Sequence, residues 1–131
     1  MKNTKKPLIL LVEDDRSLVN IIENQLVKNN FEVIAVNNVE DALKTVETKK
    51  IDVIWLDHYL LGERNGLDFV VELKKEGSNF SAIPIFVVSN TATEEKVKSY
   101  MRLGVSEYYV KAEHSLGKII TDIKNYIFKD Q

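Results

Sequence analysis

The sequence predicts an α/β domain built around a doubly wound parallel sheet, and two observations lead to this fold class. Short apolar runs alternate strictly with amphipathic helix patterns, giving five strand–helix units along the chain. Four of the apolar runs stop directly before polar residues that could take part in chemistry. Runs of this length between helices are typical of buried parallel strands, and strict alternation places helices on both faces of the sheet.

The first helix follows from a regular apolar spacing. Leu18, Ile22 and Leu26 recur four residues apart, which gives a helix one apolar face. The helix is expected to start near residues 15–17 and to end at Asn29 and Asn30, because asparagine tolerates the left-handed conformation of a helix stop. The five predicted strands cover residues 7–12, 31–36, 51–56, 83–88 and 108–110.

Caps and glycines predict the bounds of the second and third helices. Asn37 and Asn38 can cap the second helix, whose apolar residues fall at positions 39, 42, 43 and 46. The third helix is expected to start near Gly66 and to stop at Gly77.

The last two helices differ in how apolar they are. Residues 91–94 have the spacing of a capping box for the fourth helix, which carries Val97, Tyr100 and Met101 and is expected to be half exposed. It should end at Gly104. The fifth helix opens at Ser115 and has the most regular apolar stripe, formed by Leu116, Ile119, Ile120, Ile123 and Ile127.

Composition excludes several classes of function. A chain of 131 residues with 44% hydrophobic and 29% charged residues is typical of one globular domain. A net charge of −2 gives no basis for nucleic-acid binding, and the absence of cysteine excludes disulfides and thiolate chemistry. The apolar runs are too short for a signal peptide or for membrane insertion, so a cytoplasmic protein is expected.

The polar residues at the strand ends predict one site. Ligands of open parallel sheets bind beyond the carboxyl ends of the strands, and in the 2-1-3-4-5 order, one of two common orders, the first and third strands are neighbours. Glu13 and Asp14 would then lie beside Asp57. Such a carboxylate cluster favours Mg²⁺, and Asp57 is the expected nucleophile for a phosphoryl group. Lys111 and Ser89 could neutralise and hydrogen-bond its oxygens.

Each of these residues alone would have an ordinary explanation. Acids after a strand usually lie in solvated loops or helix caps, a serine there is commonly a cap, and a lysine is commonly a surface residue. Four such features at the same end of four strands are much less expected by chance.

The motif set resembles the receiver domain of two-component response regulators over nearly the whole chain. The matching segments are LLVEDD at 10–15, IWLD at 54–57, VVS at 87–89 and YYVK at 108–111. The resemblance implies a flavodoxin-like (βα)5 fold with strand order 2-1-3-4-5. It also implies that residues 1–131 form a single receiver domain without an output domain.

Residue by residue, the resemblance implies roles for the site. Glu13, Asp14, Asp57 and the backbone carbonyl of Tyr59 would bind Mg²⁺, and Asp57 would accept the phosphoryl group. Ser89 and Lys111 would contact that group. Tyr108 would be the aromatic residue that moves together with Ser89 as the switch, and Gly66 would be the glycine that closes the loop after the phosphoacceptor strand.

The function implied is that of a signalling switch rather than an enzyme, one that catalyses only its own phosphorylation and dephosphorylation. The phosphoryl group would come from a histidine kinase or a histidine phosphotransfer protein. The output would be an unknown downstream protein, contacted through the face formed by helix four, strand five and helix five.

Two other classes of function are alternatives to this one. A receiver-like interaction module that is never phosphorylated is the main alternative, although such modules commonly lose an acid, the serine or the lysine. An enzyme on the same fold is less favoured. Flavin phosphate would be repelled by the acids at 13–15, and a phosphatase would need a second acid soon after Asp57, which positions 58–62 do not supply.

Overall fold

A computed structural model describes residues 5–128 of the chain, and within them the sheet has five parallel strands in the order β2-β1-β3-β4-β5. This confirms the predicted fold class and strand order. The strands are β1 (Leu8–Val12), β2 (Glu32–Val36), β3 (Val53–Leu56), β4 (Ile85–Ser89) and β5 (Glu107–Val110). The helices are α1 (Arg16–Lys28), α2 (Val39–Thr48), α3 (Gly66–Lys74), α4 (Glu94–Arg102) and α5 (Leu116–Phe128).

The sheet separates two apolar cores, and β3 contributes to both. All four residues of β3 are buried. Because side chains alternate along a strand, Val53 and Trp55 pack with α1 and α5, whereas Ile54 and Leu56 pack with the residues of α2, α3 and α4. Pairing on both sides and burial on both faces fix where the carboxyl end of β3 lies.

The helix ends follow the predicted caps in part. Asn38 caps α2, and Asn30 has a φ of 70° just after α1, as predicted for a left-handed helix stop. The capping box lies elsewhere than predicted: Asn65 and Asp68 form it at the start of α3. α4 is instead capped by the side chain of Thr93 alone, which accepts a hydrogen bond from the amide of Lys96.

Some predicted element bounds were wrong by a few residues, and one residue predicted on the apolar face of α4 is exposed. α3 ends at Lys74, before Gly77, and β4 includes Ser89 instead of stopping before it. Strand bounds are set by pairing register rather than by hydrophobicity, and Ser89 is paired with Val110. Met101 is 45% exposed and does not belong to the buried face of α4. Among the described residues, no helix combines the length and apolar character needed to cross a membrane.

Candidate functional site

Parallel pairing brings the acidic residues of two strands together at one edge of the sheet. Val12 of β1 lies opposite Leu56 of β3, so that Glu13 and Asp57 leave adjacent strands at the same level. The ladder continues into both residues, because the amide of Asp57 donates to the carbonyl of Val12 at 2.9 Å. The backbone therefore fixes the two carboxylates beside each other, as the sequence predicted.

Lys111 reaches this carboxylate pair from β5. Its amide donates to the carbonyl of Ser89 at 2.8 Å, which extends the pairing of β4 and β5 by one residue. Its Nζ donates to Glu13 Oε1 at 3.0 Å and lies 3.5 Å from Asp57 Oδ2. Peptide bonds from residue 5 to residue 128 are all trans, including the one after Lys111. One cation thus bridges two buried carboxylates.

The electrostatic environment of Asp57 is unfavourable to its charged form. Burial raises the pKa of Asp57 from 3.8 to about 7, and the neighbouring charge of Glu13 adds to the rise. The ammonium of Lys111 and the hydrogen bond from the amide of His58 act in the opposite direction. A carboxylate held in this way gains from any further cation that binds next to it.

The acidic cluster has the donor set of a site for a hard cation. One carboxylate oxygen each from Glu13, Asp14 and Asp57 lies within 4.8 Å of the others. Glu13 is buried and already bound to Lys111, while Asp14 is exposed to solvent. An all-oxygen cluster open to water on one side suits Mg²⁺, which takes few protein ligands and keeps several waters.

Ser89 supplies a buried hydroxyl at the end of β4. It is fully buried, and its Oγ has no hydrogen-bond partner among residues 5–128. Buried polar groups are nearly always hydrogen-bonded in folded proteins, so an unpartnered buried hydroxyl calls for an explanation. An oxygen-rich group bound at the edge of the sheet would provide the missing acceptor.

A family model for the response regulator receiver domain matches residues 9–124. The chain belongs to this receiver domain family. The matched residues include all five strands except the first residue of β1, Leu8, and they include all the site residues described above.

Curated relatives include whole regulators and a chemotaxis protein. The chain is 31% identical over 105 residues to the alkaline phosphatase synthesis transcriptional regulatory protein PhoP of Bacillus subtilis, covering 79% of this chain and 41% of that protein. It is 26% identical over 104 residues to chemotaxis protein CheY1 of Helicobacter pylori, covering 79% and 83%. The chain therefore spans less than half the length of the first of these relatives.

Solved structures share the fold. A response regulator receiver protein from Pseudomonas putida superimposes with a TM-score of 0.85 at 24% identity, covering 94% of this chain and 99% of that one. The phosphorylated cyanobacterial phytochrome response regulator RcpA gives a TM-score of 0.80 at 22% identity, covering 96% of both chains.

In this receiver domain Tyr108 lies half-buried beside α4. Its hydroxyl donates to the backbone carbonyl of Thr91, in the loop between β4 and α4. Its ring packs against the ring of Tyr100 with centroids 5.6 Å apart. Tyr108 thus lies between the loop that follows Ser89 and α4.

Tyr59, two residues after the phosphoacceptor candidate, has an exposed side chain. Its ring lies under Lys96, whose Nζ is 4.7 Å from the ring centroid and donates to the hydroxyl at 3.1 Å. The same ammonium donates to Thr91 Oγ1 at 2.8 Å. The hydrogen bond from Lys96 lowers the pKa of Tyr59. On the solvent-exposed side of α4, Lys96 therefore links this helix to the loop after β3.

Sequence reasoning assigned no role to His58. His58 is 8% exposed, and its Nδ1 shares a hydrogen bond of 2.7 Å with the hydroxyl of Tyr100. A signal was present in the sequence: a tyrosine on the buried face of a helix needs a partner for its hydroxyl. No local pattern indicates that this partner lies 42 residues earlier in the chain.

Gly66 also has a reason that only the structure shows. Its amide donates to the carbonyl of His58 at 2.8 Å, which closes the loop after β3. A Cβ atom at this position would lie 2.7 Å from the carbonyl oxygen of Asp57 and 2.7 Å from the hydroxyl of Tyr100. Glycine is therefore required by close packing, in agreement with its predicted role in closing this loop.

Proposed function

We propose that this chain is a phosphoacceptor receiver of a two-component or phosphorelay system, acting in the cytoplasm. Asp57 would take a phosphoryl group from a phosphohistidine of a histidine kinase or histidine phosphotransfer protein. The observation that carries the proposal is the position of the buried Asp57 carboxylate, 3.5 Å from Lys111 and within a three-acid cluster. The residues proposed to hold Mg²⁺ are Glu13, Asp14, Asp57 and the carbonyl of Tyr59.

The proposed transfer is a displacement at phosphorus. A carboxylate oxygen of Asp57 forms the new O–P bond, the N–P bond of the phosphohistidine breaks, and the departing imidazole keeps the electron pair and takes up a proton. The ammonium of Lys111 stabilises the negative charge on the phosphoryl oxygens, and the hydroxyl of Ser89 donates to one of them. Mg²⁺, when bound, supplies further charge stabilisation at the same oxygens.

The protonation state of Asp57 also bears on its role as the nucleophile. With a pKa raised to about 7, Asp57 is partly protonated at neutral pH and is then a poor nucleophile. A divalent cation held by the acidic cluster would favour the ionised form of the Asp57 carboxylate. Metal binding and phosphoryl transfer are therefore expected to be linked.

The proposed output is a change around Tyr108 and α4. An acyl phosphate on Asp57 would draw the Ser89 hydroxyl, which has no partner in residues 5–128. This movement would open space into which Tyr108 could turn after releasing the carbonyl of Thr91. The surface of α4, β5 and α5 would then change its contacts with an unidentified downstream protein.

Phosphorylation with a small donor tests the proposed chemistry. Incubation with acetyl phosphate and Mg²⁺ should add one phosphoryl group, labile at alkaline pH, which intact-mass spectrometry detects. Asp57→Asn should abolish the modification. Asp15→Asn is the matched control: Asp15 is an exposed acid whose side chain caps α1, and asparagine caps equally well. Labelling of Asp57→Asn at the wild-type rate would contradict the assignment.

Ser89→Ala tests the switch separately from the chemistry. The variant should still accept the phosphoryl group but lose much of the conformational change, because a ligand shifts an equilibrium only by its differential interaction with two states. Amide chemical shifts with and without a phosphoryl analogue report this. Changes confined to the surroundings of Asp57, with Tyr108 and residues 93–103 unmoved in the wild type, would contradict the proposed switch.

A further inference from the structure

His58 makes two connections at once, one to the phosphoacceptor candidate and one to α4. Its backbone amide donates to Asp57 Oδ1 at 2.8 Å. Its imidazole Nδ1 shares the 2.7 Å hydrogen bond with the hydroxyl of Tyr100. Both bonds are buried, so they do not compete with water as exposed bonds do. A single residue therefore joins the Asp57 carboxylate to a helix that begins 36 positions further along the chain.

Tyr100 is the point at which α4 is anchored. All of α4 lies within the described residues, and Tyr100 is its one buried side chain. The Tyr100 hydroxyl lies 2.7 Å from the position that a Cβ atom at residue 66 would occupy, so the glycine leaves room for it. The Tyr100 ring is also in contact with the Tyr108 ring, with centroids 5.6 Å apart. Through Tyr100, α4 therefore contacts both the loop after β3 and Tyr108 of β5.

We propose that His58 and Tyr100 are positioning residues that couple the occupancy of Asp57 directly to α4, by a route separate from that through Ser89. The proposal rests on the proposed function, since it needs Asp57 to be the site that becomes occupied. Modification of Asp57 replaces the carboxylate that accepts the His58 amide. The resulting shift of His58 is passed to α4 through a bond between two buried and tightly packed groups.

Two features of the geometry favour a coupling role over simple core packing. A buried phenylalanine would fill the same volume at position 100 without requiring a polar partner, so the hydroxyl adds directionality rather than apolar contact. The hydrogen bond also links the one buried residue of α4, all of which is described, to the residue adjacent to Asp57. Coupling between sites requires such an element with two arrangements that both sites influence.

Beryllofluoride with Mg²⁺, a phosphoryl analogue, tests the coupling by amide chemical shifts of the full chain. In Tyr100→Phe, the shift changes at residues 94–102 should fall roughly twofold or more while those at residues 57–66 persist. Tyr109→Phe is the matched control, because it removes a hydroxyl that binds Asp122 of α5, away from the proposed route. Its α4 response should equal that of the wild type.

Variants of His58 provide the second arm. His58→Leu should reduce the α4 response as Tyr100→Phe does, whereas His58→Asn places an amide near the position of Nδ1 and should restore it. The ¹⁵N shifts of the His58 ring should also change on analogue binding in the wild type.

The outcomes separate the two proposals. If the wild type shows no shift change around Asp57, the proposed function fails and this inference fails with it. If the wild type responds at Asp57 and α4 but Tyr100→Phe and His58→Leu respond equally, only the coupling is overturned. Loss of the α4 response in Tyr109→Phe or persistent loss in His58→Asn would also overturn it, since a general effect on packing would then explain the result.

Discussion

Replacing Asp57 with asparagine should stabilise the metal-free protein at neutral and alkaline pH. The carboxylate of Asp57 is buried beside Glu13, and its pKa is raised from 3.8 to about 7. Ionisation of the Asp57 carboxyl is therefore less favourable in the folded state than in the unfolded chain. Asparagine has nearly the same shape and no charge, so Asp57→Asn resembles the wild type with this carboxyl protonated.

The magnitude and the pH range follow from the same pKa. A group whose pKa is raised on folding contributes stability below its unfolded pKa, and that contribution is lost as pH rises through the folded pKa. The loss therefore runs from about pH 4 to about pH 7. With about 1.4 kcal/mol for each pKa unit, Asp57→Asn should gain up to about 4 kcal/mol over the wild type at pH 8.

Urea unfolding measured from pH 5 to pH 8 in the presence of a chelator provides the assay, with Trp55 fluorescence as the signal. A difference of about 2 kcal/mol moves the midpoint by about 1 M. The quantity to follow is the difference in unfolding free energy between the two proteins. Burial lowers the pKa of His58, so both proteins lose stability as pH falls below about 6.5, which is opposite to the trend caused by Asp57. Subtraction removes that contribution.

Mg²⁺ supplies the control for this prediction. Saturating Mg²⁺ should stabilise the wild type more than Asp57→Asn, because ligand binding to the folded state adds stability and the variant lacks one ligand. The gap between the proteins should therefore narrow. Wild-type stability equal to or above that of Asp57→Asn throughout pH 5–8 without metal, or a gap that widens as pH falls, would refute the electrostatic reasoning.

Two further predictions address the metal site and the loop after β3. Asp14→Ala should weaken Mg²⁺ binding roughly tenfold or more in calorimetry, since Asp14 is the exposed acid of the cluster; unchanged affinity would exclude it as a ligand. Gly66→Ala should cost about 1–3 kcal/mol in urea unfolding, because its Cβ would overlap the Asp57 carbonyl and the Tyr100 hydroxyl. Gly117→Ala, where a Cβ meets nothing closer than 4.0 Å, should not destabilise the protein.

Local patterns in the sequence predicted the fold and most of the candidate site. Strand and helix periodicity are properties of short segments, so they predict the order of the ten elements found within residues 5–128. The residues that follow parallel strands lie at the same edge of the sheet. This rule was enough to predict that Glu13, Asp57 and Lys111 lie close together. Element bounds were less accurate, because pairing register and caps decide them: Ser89 belongs to β4 by its pairing with Val110.

Tertiary packing alone decided which of the grouped residues are buried and which partners they contact. It buried Glu13 against Lys111 while leaving Asp14 in solvent, although the two are neighbours of similar chemistry in the sequence. It also joined His58 to Tyr100 across 42 positions. Burial and hydrogen bonding depend on which distant segments meet at a given point, and no periodic pattern within one segment carries that information. The identities of the candidate site residues are therefore readable from the chain, whereas their partners and their electrostatic surroundings arise only when the sheet and helices are assembled.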